Sequence, residues 1–186
     1  MRTVITRALT AAVMIVGMAV TAPSALADSA GGDGSAERHC LVQLEQPAKG
    51  EKYAQMSALR CFSSQEQVRA EIARGNRSGA GILATLIGTD YTDPSYGGSS
   101  LNWTAPGGCF YNGGRTSWSA PSMPAGWDNV VSSTRTYSNC KATLLYDLTN
   151  YGGISMVTGC NSPALSFMDN RASSREWTDQ TYGQPC

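Results

Sequence analysis

The chain has 186 residues, with 14 basic and 14 acidic side chains, one histidine and six cysteines. Only 15% of its residues are charged and the formal net charge is zero, which leaves no electrostatic footprint for nucleic acid or for an anionic membrane surface. Few charges together with many Gly, Ser, Thr and Tyr residues favour strands and turns over long solvated helices.

The first element is a leader. Arg2 and Arg7 give a cationic start, an apolar run follows from Ala8 to about Val20, and Pro23 precedes the small-residue triplet Ala25-Leu26-Ala27. That order predicts a signal peptide over residues 1–27 and a secreted, extracellular protein. The apolar run falls short of the roughly 20 residues a bilayer span needs, so no membrane span is expected. The two leader arginines leave with it, making the remainder slightly acidic.

Residues 28–38 (DSAGGDGSAER) are small, polar and glycine-rich, and predict a flexible arm. Residues 39–80 read as a small β-β-α unit. CLVQLEQP at 40–47 predicts a strand, and Met56 to Phe62 a returning one. Ser63 and Ser64 are candidate N-caps for a helix from Gln65 to about Arg74, with Glu66 in its first turn. Val68 and Ile72 mark its apolar side, and Gly75 with Asn76 is expected to end it. From residue 81 onward the pattern is β. ILATLI (82–87) and ATLLY (142–146) are apolar runs that each lead into an aromatic, glycine-bearing turn.

All six cysteines (Cys40, Cys61, Cys109, Cys140, Cys160, Cys186) follow the leader, and an even count in an exported chain reads as a disulfide framework. Spacing leaves the pairing open; Cys40 with Cys61, and the other four among themselves, is the expected division. Zinc is disfavoured by a single histidine and no CxxC. His39 has no catalytic partner visible in sequence, and no nucleophile–base constellation suggests an enzyme. NRS at Asn76 and NWT at Asn102 match the glycosylation sequon, a pattern of little weight here.

The most informative feature is an internal repeat. YTDPSYGG carries Tyr91, Tyr96 and Gly98, and YDLTNYGG carries Tyr146, Tyr151 and Gly153. Farther on, DNVVSS (Asp128 to Ser133) is matched by DNRASS (Asp169 to Ser174), with Tyr137 after the first pair of serines and Trp177 after the second. The glycines suit turns that need a positive φ, and the tyrosine rings could cover a folded hairpin. The hard oxygens of Asp, Asn and Ser suit calcium, with backbone carbonyls and water completing the shell. The same side chains also make Asx and ST turns without a metal.

In carrying aromatic-x-x-x-x-aromatic-x-Gly and (Asn/Asp)-(Asn/Asp)-x-x-(Ser/Thr)-Ser twice in one order, residues 81–186 resemble the microbial βγ-crystallins. The secreted actinobacterial branch of that family, which includes peptidase-inhibitor-like proteins, is the part the chain resembles. The resemblance implies a mainly β fold: a double Greek-key sandwich of two four-stranded sheets, here preceded by the β-β-α unit. It implies up to two Ca2+ ions clamped between the copies by Asp128, Asn129, Ser132, Asp169, Asn170 and Ser173, with Ser133 and Ser174 bonding within the fold. One carboxylate per hexapeptide points to weak binding, on the order of 10⁻⁵ to 10⁻³ M, and Arg171 places a cation inside the second motif.

The first copy is longer than the second by a segment at roughly Pro106 to Ala120. It contains Cys109, Phe110, Tyr111, Gly113, Gly114 and Trp118. Two readings stay open: a recognition loop built on Phe110, Tyr111 and Trp118, or a surface excursion with Trp118 folded into the core. The expected function is a secreted calcium-binding structural or binding module, an adaptor that engages an unidentified protein or cell-surface ligand. The alternative, from family analogy, is a peptidase inhibitor using a rigid, disulfide-braced loop.

Overall fold

A computed structural model describes residues 36–46, 54–77, 84–110 and 117–186, all within one compact unit, Ser35–Cys186. The leader, most of the arm and Tyr111 lie outside the described residues. Ten strands and one α-helix follow in the order β1 (His39–Gln43), β2 (Arg60–Phe62), α1 (Gln65–Arg77), β3 (Thr85–Tyr91), β4 (Ser100–Ala105), β5 (Trp118–Ala120), β6 (Ser133–Thr136), β7 (Ala142–Leu148), β8 (Gly152–Thr158), β9 (Asn161–Ser162) and β10 (Ser174–Thr178). Among the described residues no helix is long and apolar enough to cross a membrane.

The strands form two sheets, ordered β2-β1-β4-β3-β6-β9 and β5-β10-β7-β8. The first repeat supplies β3 to β6 and the second β7 to β10. In each, the third strand crosses to the other sheet: β5 pairs with β10, and β9 pairs with β6. This mutual exchange is the double Greek key of a βγ-crystallin-type fold, related by an internal pseudo-twofold. Sheet one differs from the expected four strands. β1 adds to its edge as a parallel partner of β4, and β2 extends it, giving six.

That addition explains why β4 is buried along its whole length. Leu101, Trp103 and Ala105 point into the sandwich, while the alternate Ser100, Asn102 and Thr104 lie on the other face and are buried too. Their polar groups are satisfied by the N-terminal unit: Asn102 Nδ2 donates to the Cys40 carbonyl at 3.0 Å, Thr104 Oγ1 to the Val42 carbonyl at 3.2 Å, and Gln65 Nε2 to Asn102 Oδ1 at 2.7 Å. A buried Asn102 is no glycan acceptor. In the second repeat, β8 carries no such cover and its centre is exposed.

Ser64 caps α1 by accepting from the Gln67 N–H at 3.3 Å, and Val68 is its buried anchor. The helix runs on through Gly75 and Asn76 to Arg77, past the expected stop. Asn76 clamps the next segment: its Oδ1 accepts from the Ala84 N–H at 2.7 Å, and its Nδ2 donates to the Ala84 carbonyl at 3.2 Å. The early strands are shorter than expected, with a lone bridge joining Leu44 to Met56. The disulfides are Cys40–Cys61, Cys109–Cys140 and Cys160–Cys186, the expected division, and three of them imply an oxidising environment.

Between the sheets lies a core of Ile87, Leu101, Trp103, Val131, Leu145, Leu165, Met168 and Trp177, among others. Trp103 and Trp177 meet edge-on, with centroids 5.0 Å apart. Gly88 makes room for them, because a Cβ there would sit 2.6 Å from Trp177 Nε1. Tyr137 and Trp177, parallel in the sequence reading, are not equivalent. Trp177 is one position nearer its serine pair, so the period of two sends it inward while Tyr137 faces out.

Candidate functional site

Each tyrosine-rich turn is a hairpin folded back on its own sheet. Ser95 and Tyr96 in one copy, and Asn150 and Tyr151 in the other, hold positive φ. Gly98 (φ 71°) and Gly153 (φ 76°) follow them. No Cβ could stand at either glycine, because it would collide with Thr92 and Asp93 or with Asp147 and Leu148. The rings meet edge-on, Tyr91 with Tyr96 at 5.6 Å and Tyr146 with Tyr151 at 5.7 Å. Burial and the neighbouring Tyr137 push the Tyr91 hydroxyl up to about 12. Burial and a 2.6 Å hydrogen bond to Glu176 raise Tyr146.

The last serine of each hexapeptide fastens its hairpin. Ser133 Oγ donates to the Asp93 carbonyl at 2.6 Å and accepts from the Tyr96 N–H at 3.0 Å. Ser174 does the same with Leu148 and Tyr151, at 2.6 and 3.0 Å. These are structural bonds, and they orient the preceding serine.

Those preceding serines reach across the pseudo-twofold. Ser132 Oγ lies 3.5 Å from Asn170 Oδ1, and Ser173 Oγ lies 3.3 Å from Asn129 Oδ1. The backbone crosses too: Asn129 N–H donates to the Ala172 carbonyl at 3.1 Å, and Asn170 N–H to the Val131 carbonyl at 2.9 Å. Both asparagines hold positive φ, 57° and 53°, a conformation their short polar side chains tolerate. Ser132 and Ser173 are buried, while the Asp and Asn of each motif are exposed. Each pair therefore joins a buried hydroxyl to an exposed amide oxygen, and beside one of them Asn129 Nδ2 donates to Asp128 Oδ2 at 3.1 Å.

This donor set fits a hard cation. Two ligands of an ion bound at about 2.4 Å lie roughly 2.8–3.5 Å apart on adjacent corners of its shell, the spacing of each Ser–Asn pair. Arg171 is drawn aside, since its Nη2 donates to Asp147 Oδ2 at 2.8 Å. Asp147 Oδ1 in turn accepts from the Ile154 N–H at 2.7 Å. No cluster of three His, Cys, Asp or Glu that could hold a metal occurs among the described residues, and each hexapeptide carries one carboxylate, Asp128 or Asp169.

The inserted segment begins at a disulfide and ends in the core. Phe110 is about half exposed, at 49%, whereas Trp118 is 5% exposed. Trp118 donates its Nε1 to the Gly108 carbonyl at 3.1 Å, and its ring centroid lies 6.4 Å from that of Phe110. Trp118 is thus an anchor on β5 and not a projecting side chain. Sequence reasoning also missed a partner of His39: its Nδ1 lies 2.9 Å from Ser100 Oγ. Ser100 is 1% exposed, and its hydroxyl donates to Gln65 Oε1 at 3.0 Å. Parallel register between β1 and β4, which sets His39 opposite Ser100, could not be read from the local pattern.

No family model matches the chain, and no curated protein matches it. Solved structures that resemble it include a βγ-crystallin from an archaeon, 18% identical, covering 50% of this chain and 98% of its own, with a TM-score of 0.37. A βγ-crystallin from Ciona intestinalis is 17% identical over 49% of this chain and 98% of its own, at 0.36. A βγ-crystallin domain from Flavobacterium johnsoniae is 21% identical over 49% and 92%, at 0.34. At these values they add nothing to the strand order and register described above.

Proposed function

We propose that this protein is a secreted, crystallin-type binding module in which calcium fastens the two Greek keys together, and which engages a protein or cell-surface component outside the cell. The observation that carries the calcium reading is the reciprocal pairing of Ser132 with Asn170 and Ser173 with Asn129. Each pair takes one oxygen from either repeat, so an ion held there bridges both halves of the sandwich. An ion that binds only the folded form stabilises it by RT ln(1 + [Ca]/Kd). With one carboxylate per cluster, that gain belongs to the calcium-rich outside of a cell.

The binding reading is supported by how the second repeat departs from the first. Leu148 and Ile154 stand on its hairpin where the first repeat has Asp93 and Ser99, and they are 58% and 51% exposed. Apolar side chains kept at a solvent-facing turn suit contact with another protein.

The test is calorimetric titration of calcium into the chelator-stripped protein, with a thermal melt in chelator and in about 5 mM calcium. Two weak binding events and a raised melting temperature are expected. Ser132→Ala and Ser173→Ala each remove a bridging oxygen and should weaken binding while leaving the melt in chelator near that of the parent. No heat and no shift in calcium would reduce the hexapeptides to turn chemistry.

A further inference from the structure

The N-terminal unit does more than lengthen sheet one. With the first tyrosine hairpin it encloses a cleft of about 390 Å³, within the size range of small-molecule sites. The cleft is lined by His39 at the start of β1 and Arg69 on α1, by the turn Tyr96-Gly97-Gly98, and by Arg135 on β6 together with Tyr91 and Tyr137. Among the described residues, no counterpart of β1 and α1 flanks the second repeat.

Arg135 is the distinctive group. Its guanidinium carbon lies 3.7 Å from the centroid of the Tyr96 ring, so one face is stacked, and the group is also hydrogen-bonded to the Tyr96 side chain. Its Nε is buried with no hydrogen-bond partner, a donor that costs stability unless something answers it. Among the described residues no carboxylate forms an ion pair with it. At the equivalent position the second repeat has Glu176, which accepts the Tyr146 hydroxyl. The two repeats thus differ in charge where their frameworks are alike.

We propose that this cleft binds a carboxylate-bearing ligand, with the carboxylate on the Arg135 guanidinium and an organic body against the tyrosine rings. A planar carboxylate matches the guanidinium fork, and tyrosine rings offer both apolar faces and hydroxyl donors. Among the described lining residues, Arg135 and Arg69 are accompanied by one acid, Glu37. That balance suits a monoanion better than a phosphate dianion. The ligand is a free organic acid or the C-terminus of a peptide.

The test is NMR titration of the disulfide-intact protein, in chelator so that its outcome is independent of the calcium sites. The probes are benzoate, an N-acetylated tripeptide ending in tyrosine, the same peptide as its amide, and inorganic phosphate. Shifts at Gly97 and Gly98 with benzoate or the free-acid peptide, and none with the amide, support the proposal. Tighter binding of the peptide identifies a C-terminus, and equal or tighter binding of benzoate a small acid. Arg135→Gln should weaken binding at least tenfold with native dispersion kept, and Arg69→Gln less. The proposal is overturned if the amide binds as well as the acid, if phosphate binds best, if Arg135→Gln and Arg69→Gln both bind as the parent does, or if no probe shifts these glycines at about 10 mM.

Discussion

A buried ion pair ties the two sheets of the sandwich together. Asp90 on β3 and Arg175 on β10 form a salt bridge between the two sheets with both side chains 0% exposed. Asp90 also accepts Trp103 Nε1 at 2.7 Å and Thr134 Oγ1 at 2.8 Å. Arg175 donates to Thr143 Oγ1 at 3.0 Å and lies 4.3 Å from the Trp177 ring centroid. Replacing Asp90 by Leu should leave a buried cation without its counter-charge and strand two donors. Breaking such a pair costs about 3–5 kcal/mol, which for a domain of this size lowers the melting temperature on the order of 10 °C. The double variant Asp90→Leu/Arg175→Met removes both charges. It puts at position 90 the residue that the second repeat has there, Leu145, itself buried at 0% exposure. It should recover the charge penalty and leave a loss of about 1–3 kcal/mol, because apolar groups can replace a buried pair at little cost while Trp103 Nε1 stays without its acceptor. Urea unfolding with the disulfides intact measures both, with stability read from the midpoint at constant slope. A single variant that loses less than about 1 kcal/mol, or a double variant whose loss is the sum of its singles, would refute the account.

Two glycines with nearly the same φ separate backbone strain from packing. Gly126 (φ 79°) has open space where a Cβ would go, so Gly126→Ala should cost only the left-handed penalty, about 1–2 kcal/mol; at Gly153 (φ 76°) the Cβ collides with Asp147, so Gly153→Ala should cost clearly more in the same urea assay. In alkali the half-buried Tyr91 matters: its pKa rises from 10.0 to about 12 on folding. The unfolded chain therefore ionises first, and this contribution to stability is whole below pH 10 and lost as pH climbs from 10 toward 12. Absorbance at the phenolate band and a parallel melt series should show the loss reduced in Tyr91→Phe.

The repeat made the architecture legible, because residues that recur in order must serve the same geometry twice. Tyr91, Tyr96 and Gly98, with their partners Tyr146, Tyr151 and Gly153, announced two hairpins, and both hairpins are present. Legibility ended where the copies stop agreeing. Nothing local says that β1 will lie parallel to β4, since a non-local pairing leaves no periodic trace. Asp90 and Arg175 each look like ordinary surface charges until the sheets are stacked. Position 137 seemed to match 177, yet a one-residue slip reverses the face of a strand.

The differences between the copies are where a particular function can reside. A perfect twofold would give two identical faces and a featureless interior. This chain instead puts Asp90 and Thr134 opposite Leu145 and Arg175, so one sheet supplies the acid and the other the base. On the outside it sets Arg135 against Glu176, and it covers only the first copy with β1 and α1. The serines bridging the repeats belong to the symmetric part, and so does whatever cation they hold. On the proposed function, selectivity for a partner would come from the asymmetric surface instead: the tyrosine-lined cleft around Arg135 and the apolar hairpin of Leu148 and Ile154.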